Sequence, residues 1–225
     1  MGKQIAWDEI DKKAKEILDA SDEIWGCAET AFQEDNSVKV LCDLLKKEGF
    51  AVEENLADVK TAFKGTYGSG KPVIGILGEF DALSGLNQEP CATEKKAVGD
   101  GAPGHGCGHN MLGTASLSAA IGLKKYLEET GKSGTVIYFG CPGEEGGSGK
   151  AFMAKGGVFE GLDAAITWHP GDLTRADTGS SLANYQVYYK FYGTSAHAGG
   201  APHLGRSALD AAELMNVGVQ FLREH

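Results

Sequence analysis

The chain has 225 residues and a formal net charge of −10 at pH 7, from 21 Lys and Arg against 31 Asp and Glu. Its 42% hydrophobic and 23% charged residues are typical of a soluble globular protein of one large domain or one and a half smaller ones. Nucleic acids and anionic membranes recruit basic surfaces, so the acidic balance argues against both as partners.

The apolar spacing predicts two helices near the start of the chain. The first covers about residues 8–26, and the second runs from Asn36, a good N-cap, to Gly49, a good residue to follow a helix. The amphipathic, charged start differs from a secretory signal, and no apolar run approaches the roughly 18 residues of a membrane span. Five dispersed cysteines, an odd number, favour a reducing compartment, so we expect a cytoplasmic protein.

The next segment carries strand and turn signals. Apolar residues predict a strand over 61–67, a Gly-rich turn over 68–70 and a strand over 73–77, which we expect to pair as a hairpin. Residues 85–108 are polar and rich in Gly and Pro, which predicts a long loop. Long ordered loops are often functional.

Alternating strands and helices follow. A helix rich in small residues is predicted over 110–129, where it should pack closely against a sheet, and a short helix over 150–155. Continuous apolar runs predict strands over 135–140 and 164–168. This order indicates an α/β fold with a largely parallel sheet, whose functional groups should lie at the carboxyl ends of the strands.

The composition changes near residue 183. An aromatic, alternating segment predicts a strand over 184–192, and a helix is predicted over 206–222. We therefore expect a catalytic domain over 1–183 and the beginning of a second domain over 184–225, in which the sequence stops.

Four short stretches hold side chains of the kind that bind metal ions. They are GEFDAL (78–83), GHGCGHN (104–110), GEEGG (143–147) and WHP (168–170), each at the end of a predicted strand or the start of a predicted helix. Each stretch alone has an ordinary structural explanation: a buried Cys, a solvated Glu pair, a hydrogen-bonded His. Together they predict a site for zinc, or for manganese where carboxylates contribute strongly.

These stretches, with GTSAHAGGAPHLGRSALDA (193–211), resemble the M20 metallopeptidase/amidohydrolase family. The Cys-Gly-His motif resembles that of the family's amidohydrolase branch. The Asn that follows the motif is similar to the residue found there in the aminobenzoyl-glutamate utilization subgroup. The resemblance covers essentially the whole chain and implies a three-layer zinc-exopeptidase-like catalytic domain with a mostly parallel mixed sheet. It also implies the start of an α+β, ferredoxin-like lid, although family members are considerably longer.

The resemblance also implies roles for single residues. Cys107, His109, Glu145 and His169 match the family's metal ligands, which hold two divalent ions, Mn²⁺ or Zn²⁺. Glu144 matches the catalytic base, Asp81 a carboxylate that orients a ligand, and His197 a lid histidine that reaches the reaction centre, commonly that of the partner subunit, where it could stabilise the oxyanion. A further family histidine ligand, near the family's C-terminus, has no counterpart in this sequence. His105 and His203 are expected to be loop histidines without a role.

The implied activity is metal-dependent hydrolysis of an N-acyl or aminobenzoyl amino acid, a small-molecule substrate, to a carboxylic acid and a free amino acid. Two alternatives stay open: a dipeptidase or carboxypeptidase of the same family, and a metal- or partner-binding chain with little or no turnover. The two elements after residue 183 each have an apolar face that neither can cover alone. We therefore expect a homodimer through residues 184–225.

Overall fold

The computed structural model describes residues 2–176 and 178–224, which form two compact units, Met1–Ala176 and Asp177–His225. The helices of the first unit are α1 (Gly2–Cys27), α2 (Asp35–Lys47), α3 (His109–Thr130), α4 (Glu144–Gly147) and α5 (Gly149–Lys155). Its strands are β1 (Ala51–Glu54), β2 (Phe63–Ser69), β3 (Val73–Glu79), β4 (Gly134–Cys141) and β5 (Ala164–Ile166). No helix within the described residues combines the length and apolar character that a membrane span requires.

The five strands form one mixed sheet in the order β1-β2-β4-β3-β5. β4, β3 and β5 are parallel, whereas β1 and β2 run antiparallel to their neighbours. The predicted α/β fold with a mixed sheet is therefore confirmed, but the predicted hairpin is wrong. β4 lies between the two strands, with Phe139 opposite Lys64 on one side and Leu77 on the other. Because both faces of β4 are apolar, this strand gains most from a central position.

Helices cover both faces of this sheet, in agreement with the three-layer prediction. Val136 and Tyr138 of β4 pack into the larger core formed with α1, α2 and α3. Phe139 and Cys141 of the same strand point to the other face of the sheet, where they pack with Met153 of α5 in a smaller core. Alternate residues of one strand thus enter two cores, as the period of two requires.

The predicted close packing of α3 on the sheet is confirmed, and it positions the site. A Cβ on Gly113 would lie 2.7 Å from the backbone oxygen of Glu79, so only glycine fits there without a shift. Ser116 Oγ donates a hydrogen bond to the Leu77 oxygen at 2.9 Å, and Tyr138 Oη donates one to the Gly113 oxygen at 3.1 Å. The start of α3 is thereby fixed beside the carboxyl end of β3.

The second unit contains α6 (Ala208–Gln220) and two 3₁₀ segments, Pro202–Leu204 and Phe221–Glu224. Ser207 caps α6, because its Oγ accepts the Asp210 N–H at 3.0 Å. The predicted strand over 184–192 is wrong: this segment has no regular structure, and the described pairing in the unit is a single bridge between Thr194 and Arg206. A strand needs a backbone partner, and the described residues of this unit offer that segment none. The domain boundary near 183 stays a prediction.

Candidate metal centre

Cys107 and His109 lie on either side of a glycine that turns the chain. Gly108 has a φ of +80° and stands directly before α3, whose first residue is His109. A left-handed φ costs glycine little. The loop that ends at Cys107 therefore turns directly into α3, and the thiol and the imidazole come to the same site.

The imidazole of His109 is fully buried and held by a carboxylate. Its Nδ1 lies 3.0 Å from Asp81 Oδ1 and 3.1 Å from the Asp81 backbone oxygen. Both oxygens are acceptors, so Nδ1 carries the proton and donates. The lone pair of Nε2 then faces the site, which is the arrangement of a metal-binding histidine.

Asp81 connects His109 to the turn that holds the paired glutamates. Its second oxygen, Oδ2, accepts the backbone N–H of Glu145 at 2.8 Å. Burial acts to raise the pKa of Asp81, but the hydrogen bonds from His109 and from the Glu145 backbone outweigh burial and lower that pKa. Burial likewise acts to lower the pKa of His109, and the bond and charge of Asp81 raise it overall. Asp81 is therefore an ionised carboxylate that fixes the orientation of the ring.

The turn that carries the two glutamates follows β4 and is held by a hydrogen bond to Glu34. Gly143, with a φ of +60°, donates its N–H to the buried carboxylate of Glu34 at 2.9 Å. Glu144 Oε2 and Glu145 Oε1 then lie 3.9 and 4.0 Å from His109 Nε2. Burial, followed by the charges of Glu79 and Glu145, raises the pKa of Glu144.

His169 completes the group from the segment after β5. Its Nε2 lies 3.2 Å from Cys107 Sγ, and its ring meets that of His109 edge-on at 5.6 Å. The Nδ1 of His169 donates to the Pro170 oxygen at 2.9 Å. Nε2 of His169 therefore faces the centre, beside the thiol of Cys107.

These donors fit a divalent cation. Ligand atoms of Cys107, His109 and His169 all lie within 4.8 Å of one another. His109 Nε2 and Glu145 Oε1 are buried and have no hydrogen-bond partner among the described residues, which is costly unless a cation satisfies them. Burial, with the nearby carboxylate of Glu145, raises the pKa of Cys107 to about 11; a bound cation acts in the opposite direction and favours the thiolate.

The structure brings six of the seven predicted site residues together: Asp81, Cys107, His109, Glu144, Glu145 and His169. His197 belongs to the second unit, where its Nδ1 accepts the Gly199 and Gly200 N–H groups at 3.2 and 2.9 Å, and its role stays a prediction. His105 is mostly buried, with its Nε2 3.1 Å from the Ile24 oxygen. That contact indicates a structural role for His105 within the loop.

Sequence reasoning missed Glu79, the last residue of β3. Its carboxylate is buried, and Oε2 lies 3.1 Å from His109 Nε2. The other oxygen forms an ion pair with Lys150 of α5. The signal was present, because a Glu that ends a buried strand two residues before Asp81 points to the same side of the sheet as that aspartate.

Residues 75–220 match Peptidase family M20/M25/M40. The chain belongs to this family. It is 49% identical over 218 residues to a subunit of the p-aminobenzoyl-glutamate hydrolase of Escherichia coli, across 97% of this chain and 45% of that protein. It is 30% identical over 235 residues to the Xaa-Arg dipeptidase of Mus musculus, across 99% of this chain and 50% of that protein.

A solved structure shares the fold of this M20 chain. The YxeP protein of Bacillus subtilis, described as a dinuclear metal binding peptidase from the M20 family, superposes with a TM-score of 0.55 at 23% identity. The match covers 70% of this chain and 43% of that one. The chain spans about half the length of the curated relatives it matches.

Proposed function

We propose that this protein is a metal-dependent amidohydrolase that cleaves the amide bond of an N-acyl or aminobenzoyl amino acid, with p-aminobenzoyl-glutamate as the leading substrate. The observation that carries the proposal is the pair of buried, unpartnered atoms, His109 Nε2 and Glu145 Oε1, beside Cys107 and His169. The substrate comes from the E. coli relative, which is named for the hydrolysis of this compound.

Cys107, His109, Glu145 and His169 are the proposed ligands. A divalent cation held by them would polarise the amide carbonyl and acidify water at the site. Asp81 keeps His109 Nδ1 protonated and its ring fixed through the 3.0 Å bond. His197 is proposed to stabilise the oxyanion that develops on the carbonyl.

Burial supports different roles for the adjacent glutamates. The side chain of Glu145 is 20% exposed and that of Glu144 is 43% exposed. A buried carboxylate oxygen with no partner suits a ligand, whereas a more accessible carboxylate with a raised pKa suits a base that takes a proton from water. Their similar distances from His109 give no such distinction, so the difference in exposure carries this assignment.

The ligand chemistry supports Mn²⁺ or Zn²⁺, and we propose that the site holds two ions. Thiolate and imidazole suit zinc, and carboxylate oxygens suit manganese. The YxeP protein is described as dinuclear. We also propose a reducing, cytoplasmic location, since all five cysteines are free thiols.

The test is a hydrolysis assay of the purified chain with added Mn²⁺ or Zn²⁺. The panel contains p-aminobenzoyl-glutamate, other N-acyl amino acids and Xaa-Arg dipeptides, with chelator-treated protein as the control. We expect metal-dependent release of glutamate from p-aminobenzoyl-glutamate at the highest kcat/KM of the panel. Metal binding without hydrolysis of any member would contradict the proposal and support the binding-only alternative.

The second candidate activity is that of a dipeptidase, and the similarity to the mouse Xaa-Arg dipeptidase favours it. It uses the same centre with a different substrate pocket. A higher kcat/KM for Xaa-Arg dipeptides than for p-aminobenzoyl-glutamate in the same assay would select it.

We further propose a homodimer through residues 184–225. Val187, Tyr189 and Val219 are 57%, 63% and 44% exposed, and Phe191 and Met215 are half-buried. Such apolar exposure is costly in water and usually marks an interface. Sedimentation at tens of micromolar should show a dimer, and Tyr189→Ser combined with Val219→Ser should shift it toward monomer. A monodisperse monomer of the unmodified chain would contradict the proposal.

A further inference from the structure

Glu79 has one carboxylate oxygen in an ion pair with a lysine and one without a hydrogen-bond partner. The residue is 7% exposed, and its Oε1 binds Lys150 Nζ of α5. Its Oε2 is buried and has no hydrogen-bond partner among the described residues, although it lies 3.1 Å from His109 Nε2. An ionised oxygen in this environment is costly unless something else satisfies it.

His109 does not satisfy this oxygen. Its Nδ1 donates to Asp81, and its Nε2 is itself unpartnered, because the contact with Glu79 lacks hydrogen-bond geometry. With Nδ1 as the donor of a neutral ring, His109 Nε2 and Glu79 Oε2 are two buried acceptor atoms that face each other at 3.1 Å. Oε2 of Glu79, Nε2 of His109 and a carboxylate oxygen of Glu144 all lie within 4.8 Å of one another, so Glu79 and His109 are close enough to share one cation beside the base Glu144.

We propose that Glu79 is a further oxygen ligand of the cation bound by His109, and that Lys150 positions Glu79 by holding its other oxygen. The proposal rests on the metal centre of the proposed function and adds a residue to it. It extends the sulfur- and nitrogen-rich group of Cys107 and His169 with a carboxylate.

Lys150 has a defined part in this arrangement. Its side chain is 33% exposed and reaches Glu79 from α5. The ion pair occupies Oε1 of Glu79, leaves Oε2 for the cation and fixes the orientation of the carboxylate. Removal of Lys150 should therefore weaken metal binding without removing a ligand.

Because Glu79 adds an oxygen ligand, its replacement should change the relative affinity of the site for Mn²⁺ and Zn²⁺. Carboxylate oxygen contributes more to a manganese site than to a zinc site that already has thiolate and imidazole ligands. Glu79→Gln removes the charge but keeps an oxygen at this position, so it should reduce Mn²⁺ affinity about 10–100-fold, a loss comparable to that of a ligand's hydrogen-bond partner, and reduce Zn²⁺ affinity less. Lys150→Met should reduce Mn²⁺ affinity by a smaller factor.

The experiment is a titration of the whole chain with Mn²⁺ and Zn²⁺ separately, by calorimetry or chelator competition, for the unmodified protein and both variants. Glu160→Gln, at an exposed glutamate of the same unit, is the matched control and should bind both metals normally. Unchanged Mn²⁺ affinity in Glu79→Gln, or an equal loss for both metals, would overturn the proposal. An equal loss indicates loosened structure around His109 and not a lost oxygen ligand.

A second measurement uses the unmodified protein and does not depend on how any variant folds. In zinc-loaded crystals, anomalous diffraction should place an ion about 2.0–2.2 Å from Glu79 Oε2, the usual zinc–oxygen distance. The assignment is overturned if every ion found at the centre, including the ion bound by His109, lies beyond 3.5 Å from Glu79. Neither measurement uses turnover: a chain that binds metal through Glu79 but hydrolyses no amide contradicts only the proposed function.

Discussion

Glu144→Gln is expected to keep its metal and to lose about 10²–10⁴-fold in the rate of amide hydrolysis, the usual contribution of a general base. The amide keeps the size of the side chain but does not take up the proton that a water must lose. Glu144 is the more exposed glutamate, and burial and neighbouring charges already raise its pKa toward the range of a useful base. Elemental analysis and hydrolysis rates of the same preparation give both quantities.

Glu145→Gln is the matched comparison and should be impaired in metal binding, the step that precedes hydrolysis. Its Oε1 is buried and unpartnered, so loss of the charge there weakens metal binding itself. The backbone N–H that binds Asp81 is unchanged by the substitution, which keeps the turn in place. Equal metal loss in the two variants, or full metal content in Glu145→Gln, would contradict this division of roles.

His109→Ala should lower the affinity for Mn²⁺ and Zn²⁺ by more than about 100-fold. His109 belongs to both groups of potential ligands, one with Cys107 and His169 and one with Glu79 and Glu144. Its loss should therefore lower metal affinity by more than the roughly 10–100-fold effect of removing a ligand's hydrogen-bond partner. Asp81→Asn removes such a partner and should fall within that smaller range. Calorimetric titration ranks the three proteins.

His105→Ala is the control for the His109 prediction. His105 is mostly buried and only four positions along the chain from His109, but its Nε2 lies against the Ile24 oxygen, and it belongs to neither group of potential ligands. Its replacement should lower the free energy of unfolding by about 1–3 kcal/mol, the usual cost of a lost buried polar contact, and leave metal affinity unchanged. His109→Gln serves as a second variant if His109→Ala unfolds. Normal metal affinity in a folded His109 variant would contradict the account.

The site was predictable to the extent that it depends on strand order along the chain. Residues at the carboxyl ends of parallel strands meet at one edge of a sheet. β3, β4 and β5 are parallel, and Asp81, Glu145 and His169 follow them directly. Glu79 was not assigned because a glutamate at a strand end has many uses. Its position two residues before Asp81 was a weak signal, and the three-dimensional contacts with His109 and Lys150 make the assignment specific.

Two elements were mispredicted because local pattern does not specify a strand's partner. The Gly-rich turn after β2 has the signature of a hairpin, but β4 pairs with both β2 and β3 because its alternate residues fill two cores. The aromatic segment over 184–192 alternates as a strand does, yet no described segment of its unit pairs with it. Strand pairing is a long-range property, and alternation predicts only which face a residue would take.

The central claim is that Cys107 is a thiolate ligand of a divalent ion shared with His109 and His169. Titration of the chain with Co²⁺, followed by absorption spectroscopy, tests it most directly, because a thiolate on cobalt gives a charge-transfer band that nitrogen and oxygen ligands do not. The account predicts a band that saturates with bound Co²⁺ and disappears in Cys107→Ser, while Cys91→Ser, at an exposed thiol, retains it. Binding of Co²⁺ without this band, or the same band in Cys107→Ser, would contradict the account.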